Sequence, residues 1–177
     1  MGLDLDQARR QARELLRAAR SGDVQAMSRF RGDRLPRLAD AQAAVARDLG
    51  FGSWPALVRG LLQEAVEQGD IERLRGLMAD GVSVRGSELL LYARDPEVMT
   101  LLIEGGARLD ARDADGLTPY SRAARFKSEP NLRLLSEAGG AVELDPAAEW
   151  VGAVVRGDLD RATRVKQAHR DLALLMG

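Results

Sequence analysis

The chain has 177 residues, 45% hydrophobic and 30% charged, with a formal net charge of −1. That balance excludes a global electrostatic pull towards nucleic acid or a membrane surface. The absence of Cys and the single His, His169, exclude disulfides, thiol catalysis and Cys/His zinc sites. Aromatic residues make up only 4%. Ala and Leu dominate the apolar set, which favours closely packed helices over sandwiched sheets. Residues 1–20 carry charges throughout and hold no apolar core of a signal peptide. No run of about 18 apolar residues exists, so nothing is expected to span a membrane, and a cytoplasmic location is expected.

In chain order, the first predicted element is a helix from Asp4 to Arg20. Its apolar stripe is Leu5, Ala8, Ala12, Leu15, Leu16 and Ala19. Arg9, Arg10, Arg13, Arg17 and Arg20 fill the other side. A short helix follows from Val24 to Phe30, then a loop over Arg31–Pro36. The next helix spans Leu38–Leu49 and ends at Gly50. Ser53 is placed to cap another helix, with Pro55 in its first turn and Trp54, Leu57, Val58, Leu61, Leu62 and Ala65 on its apolar face.

From Leu61 onward the pattern reads as helix pairs. They are Leu61–Gln68 with Ile71–Ala79, Ser87–Arg94 with Pro96–Glu104, Pro119–Phe126 with Glu129–Ala138, and Pro146–Arg156 with Leu159–Gln167. Glycine stops follow the first three, at Gly81, Gly105-Gly106 and Gly139-Gly140. The break Gly-Asp-apolar occurs at Gly22-Asp23-Val24, Gly69-Asp70-Ile71 and Gly157-Asp158-Leu159. Glycine allows the reversal there and Asp caps the second helix. Asp171–Met176 would start one more helix, with Leu172, Leu174 and Leu175 as an apolar cluster. That end either folds back as a cap or leaves an open interface for self-association.

The best-defined turn is Asp113 to Pro119, with Ala114-Asp115-Gly116 at its tip. Thr118 is the expected N-cap and Pro119 the first helical residue. Asp113, Gly116, Thr118, Pro119, Ala123 and Ala124, with Leu101, Leu102, Gly106, Ala107 and Asp110 before them, resemble an ankyrin repeat. The Leu-His pair that the family carries after Thr-Pro is Tyr120-Ser121 here, so the turn is expected to be held less tightly. Leu38–Leu61 is similar to the helical region ahead of the repeats in bacterial ankyrin-repeat proteins. The unit from Gly81 to Gly106 is shorter than that from Gly106 to Gly140 and lacks the Asp–Thr-Pro turn, so it reads as a degenerate repeat.

The resemblance implies an all-α fold: a helical-hairpin solenoid of ankyrin-like repeats with an N-terminal helical leader. The leader would span residues 1–60, and about four helix pairs would span 61–177, the last incomplete. It also implies a protein-binding function, in which the positions that meet a protein partner are Ala114, Asp115, Leu117, Tyr120, Arg125 and Phe126. Core packing competes with this role at Phe126 and at Trp150.

Chemistry-bearing motifs are scarce. Gly50–Trp54 does not satisfy G-x-S-x-G, so Ser53 reads as a helix cap. Asp113 and Asp115 read as turn residues rather than cation ligands. Arg31-Gly32-Asp33 reads as a chance tripeptide, and His169 as a surface or packing residue. No phosphate-binding glycine loop occurs. No catalytic residue, metal or cofactor is expected, and the partner's identity is not encoded.

Two other readings stay open. One is an enzyme or small-molecule sensor with a pocket between leader and repeats, using Arg85, Glu149, Trp150 and His169. The other is an acidic partner or nucleic acid met by the row Arg9, Arg13, Arg17 and Arg20. The competing view of that row is a solvated face with local pairs such as Arg10–Glu14, and no interleaved aromatics support base stacking.

Overall fold

The computed structural model describes residues 4–30, 34–140, 149–150, 154 and 157–168. Among them the fold is all-α, with α-helices and one 3₁₀ turn and no strand. The helices are α1 (Leu5–Arg20), α2 (Val24–Ser28), α3 (Leu38–Asp48), α4 (Trp54–Gln68), α5 (Ile71–Ala79), α6 (Pro96–Glu104), α7 (Pro119–Arg125), α8 (Glu129–Glu137) and α9 (Leu159–Ala168), and the 3₁₀ turn is Leu89–Leu91. Among the described residues no helix is long and apolar enough to cross a membrane. The chain divides into two compact units, residues 1–82 and 83–177.

In the first unit α1 packs on α2 and α3, α3 on α4, and α4 on α5. The α1–α3 seam is made of small residues. Ala8, Ala12 and Ala19 on α1 and Ala41, Ala44 and Ala46 on α3 are all buried, and short side chains let two helix backbones approach closely. Leu57, Leu61, Leu74 and Val66 fill the rest of this core. Arg9 closes the unit across a wide sequence interval: its guanidinium reaches the Asp80 carboxylate at 2.6 Å and the Asp80 carbonyl at 3.1 Å.

The expected leader boundary at residue 60 falls inside α4, which runs unbroken from Trp54 to Gln68. Gly60 lies at mid-helix. A Cβ at that position would lie 2.7 Å from Cε1 of Phe51, so the missing side chain is what seats the Phe51 ring on the helix.

The Gly-Asp breaks behave as local chemistry requires. Gly69 adopts φ +69°, and Asp70 then accepts the Arg73 N–H at 3.0 Å. Asp23 likewise accepts from Gln25 and Ala26, and Asp158 from Arg161.

In the second unit the 3₁₀ turn packs on α6 and α7, and α8 packs on both α6 and α7. The core is Leu90, Val98, Met99, Leu102 and Leu135. The predicted helix Ser87–Arg94 is instead one 3₁₀ turn, Leu89–Leu91. Ser87 does not cap it: its Oγ is buried without a partner. Its carbonyl accepts the Arg108 N–H at 2.8 Å, and the Gly86 N–H donates to the Gly106 carbonyl at 2.8 Å. These two main-chain rungs tie the segment to the loop after α6. Four residues beyond the 3₁₀ turn, Asp95 is already the N-cap of α6, accepting from Glu97 and Val98. The second helices of the pairs lie close to their predicted limits, α6 at Pro96–Glu104 and α8 at Glu129–Glu137. The predicted helices Pro146–Arg156 and Asp171–Met176 lie wholly or mainly outside the described residues.

Candidate functional site

The turn before α7 is built from its own side chains. One carboxylate oxygen of Asp113 accepts the N–H of Asp115 at 3.0 Å and that of Leu117 at 2.9 Å. The other accepts Nη1 of Arg122 at 2.6 Å. Arg112 donates to the Gly116 carbonyl at 2.9 Å. Thr118 Oγ1 accepts the Ser121 N–H at 3.2 Å, and the two hydroxyls lie 3.1 Å apart. Pro119 occupies the first turn of α7, where no donor is lost. Burial pushes the Asp113 carboxyl up, but the hydrogen bonds from Arg122, Leu117 and Asp115 outweigh it and hold its pKa below the ordinary value. The carboxylate is thus ionised as a strut, not poised as an acid or base.

This turn holds the predicted partner-binding residues in different environments. Ala114 and Asp115 are exposed at the tip, Arg125 is exposed at the end of α7, and Tyr120 is half-buried. Phe126 is 54% exposed. Leu117 is corrected: it is only 7% exposed, because the turn that gives its N–H to Asp113 carries its side chain into the core. It packs the turn and offers no free surface.

Phe126 sits in cationic company. The Arg94 guanidinium carbon lies 5.1 Å from the ring centroid and that of Arg122 6.0 Å, within the range of cation–π attraction. Beside the ring is a cleft of about 210 Å³, lined by Leu90, Leu91, Ala93, Pro119, Ala123 and the polar residues Arg94, Arg122, Ser128 and Asn131. Two polar atoms of that lining are buried without partners, Nε of Arg122 and Oδ1 of Asn131. Sequence reasoning missed Arg94, Arg122 and Asn131. Asn131 stands at a position that reads as an ordinary helical residue, and its signal is only that a polar side chain occupies the buried face of α8.

No protein-family model matches the chain. No solved structure matches it either.

The remaining candidates do not converge. Of the arginine row, Arg9 is held by Asp80 and Asp6, and Arg20 donates to the Pro36 carbonyl. Arg13 and Arg17 are exposed and pair with no acid among the described residues, so the row is broken into two committed and two uncommitted cations. The Arg10–Glu14 pair is not formed; other ion pairs of this unit join Arg29 to Asp48, Arg34 to Asp40, Arg73 to Glu64 and Arg75 to Glu72.

Arg85, Glu149 and Trp150 are not gathered into one pocket. The Arg85 side chain flanks Gly106, Glu149 holds Arg161 at 3.0 Å, and Trp150 lines an apolar groove with Leu159 and Ala162. His169 lies outside the described residues.

A wider groove of about 790 Å³ in the first unit is lined by Asp4, Asp6, Glu64, Asp70 and Asp80. Asp4 and Asp70 cap helices, and Glu64 and Asp80 pair with arginines. These acids therefore serve the fold. Among the described residues no group of three or more His, Asp or Glu could hold a metal ion.

Proposed function

We propose that this chain is a protein-binding module whose helix pairs are ankyrin-like, and that it meets its partner through the turn tip and the helix that follows it. The observation that carries the reading is the turn from Asp113 to Pro119. Its side-chain bonds and Thr-Pro cap hold Ala114 and Asp115 exposed at the tip, ahead of exposed Arg125 and Phe126. The rungs from Gly86 to Gly106 and from Arg108 to Ser87 support it further, since they link the segments that open two successive pairs. A tip fixed in this way has little conformational entropy to lose on docking. Exposed aromatic and arginine side chains are the usual anchors of binding hot spots.

Affinity capture from host lysate tests this with three baits: the native chain, Ala114→Arg with Asp115→Lys, and Arg125→Glu. All three changes fall at exposed positions, so the fold is kept. A partner captured by the native chain and lost with either variant is expected. A set of captured proteins identical for all three baits would overturn the reading.

A further inference from the structure

The cleft beside Phe126 carries polar groups that the fold leaves unused. Asn131 is 2% exposed. Its Nδ2 donates to the Arg94 carbonyl at 2.9 Å. A carbonyl can only accept, so this bond fixes which way the amide faces. Oδ1 is left over, buried and without a donor. Arg122 spends Nη1 on Asp113, and its buried Nε–H has no acceptor. The Arg94 guanidinium stacks on the Phe126 ring and holds no carboxylate among the described residues. An unpaired buried donor and an unpaired buried acceptor in one lining are costly to leave so.

The rest of the lining is apolar: Leu90, Leu91, Ala93, Pro119 and Ala123. The volume, about 210 Å³, is below the roughly 300 Å³ at which sites for drug-sized ligands begin. It suits one amino-acid residue. Exposed Arg125 and Lys127 follow in the chain around Phe126, and Glu129 is the acidic exception.

We propose that this cleft receives the last residue of a partner polypeptide, an apolar one with a free α-carboxylate. The inference rests on the protein-binding reading and names what is bound. The carboxylate pairs with Arg94 and accepts from the Arg122 Nε–H. The residue's own N–H donates to Asn131 Oδ1, and its side chain covers Leu90, Pro119 and Ala123. An internal Asp or Glu would set its charged end against that apolar wall. A free amino acid would bring an ammonium group towards the cations of the lining, Arg94 and Arg122. Oδ1 and Nε lie beneath the surface, so the residue reaches them only if part of the cleft wall gives way.

Nitrogen-15 NMR of the full chain tests this, following the arginine Nε–H and asparagine side-chain signals. The probes are acetyl-Gly-Gly-Leu with a free carboxylate, the same peptide amidated, and free leucine. The acid is expected to shift the Arg122 Nε–H and the Asn131 amide signals. The amide and free leucine should bind at least about tenfold more weakly, the scale of one lost charge-assisted hydrogen bond. Arg94→Gln leaves the Arg94 carbonyl, and so the Asn131 anchor, in place; it should weaken the acid by a similar factor. Equal binding of acid and amide, unmoved signals at millimolar acid, or no effect of Arg94→Gln would each overturn the proposal. A partner lost with the turn-tip baits while the peptide moves nothing would sink the cleft alone. Peptide binding without any bait-dependent partner would sink the turn-tip reading alone.

Discussion

The 3₁₀ turn at Leu89–Leu91 and the helix α7 open consecutive pairs in the same unit, yet they are stabilised in different ways. Helix α7 is specified locally, by Asp113 bracing the turn, Thr118 capping and Pro119 starting the helix. The 3₁₀ turn has no side-chain cap, and all three of its leucines are buried. It is held by burial and by the rungs to Gly106 and Arg108. Local capping therefore yields a helix with polar surface to spare, whereas a segment held by core contact shrinks to what the core can use.

That contrast can be broken first at Leu90, which is 1% exposed. Leu90→Ala should cost about 3 kcal/mol in urea unfolding of the second unit, the usual loss for a buried leucine. Asp113→Ala should cost about 2 kcal/mol, the scale of a bond to a charged group lost while its donors stay partly buried. The Asp113 contribution has a pH signature. Its folded pKa lies below the ordinary value of 3.8, so its stabilisation is complete above that value. It is lost as the pH falls through the lower, folded value. Asp113→Asn should accordingly flatten the acid limb of stability against pH below about pH 4.

A smaller effect is expected at Thr118: Thr118→Ala should cost about 1 kcal/mol, the ordinary loss of an N-cap, visible as a lower melting temperature. The smallest concerns Lys127, at φ 56°, the one non-glycine residue with positive φ among those described. Lys127→Gly should stabilise by less than ~1 kcal/mol, as relief of left-handed strain exceeds the added unfolded-state entropy.

Much of what depends on near neighbours in sequence was legible. Asp23, Asp70, Asp158, Ser53 and Thr118 cap where their position before an apolar run indicates. The all-α class follows from the same signals. What could not be read rests on distant partners. Nothing near Ser87 announces that Arg108 will take its carbonyl, so a helix was expected there. Arg9 looks like one of a solvated row until Asp80 arrives from the other end of the unit.

Within the candidate site, Ala114, Asp115 and Arg125 were singled out through the ankyrin resemblance, and all three are exposed. Leu117 was misplaced because its position in the family outweighed its own hydrophobicity. Asn131 was missed because its anchor is a main-chain carbonyl, which no side-chain pattern can reveal.

The clasp from Arg9 to Asp80 brings the two sequence ends of the first unit together. Chain order within that unit is therefore separable from its packing. A gene in which a short linker joins residue 82 to residue 4, with new ends opened at exposed Gly50, encodes the same set of helix contacts. Such a circular permutant would show whether α1 must be made first for α3 to find its place, or whether the alanine seam between them assembles in either order.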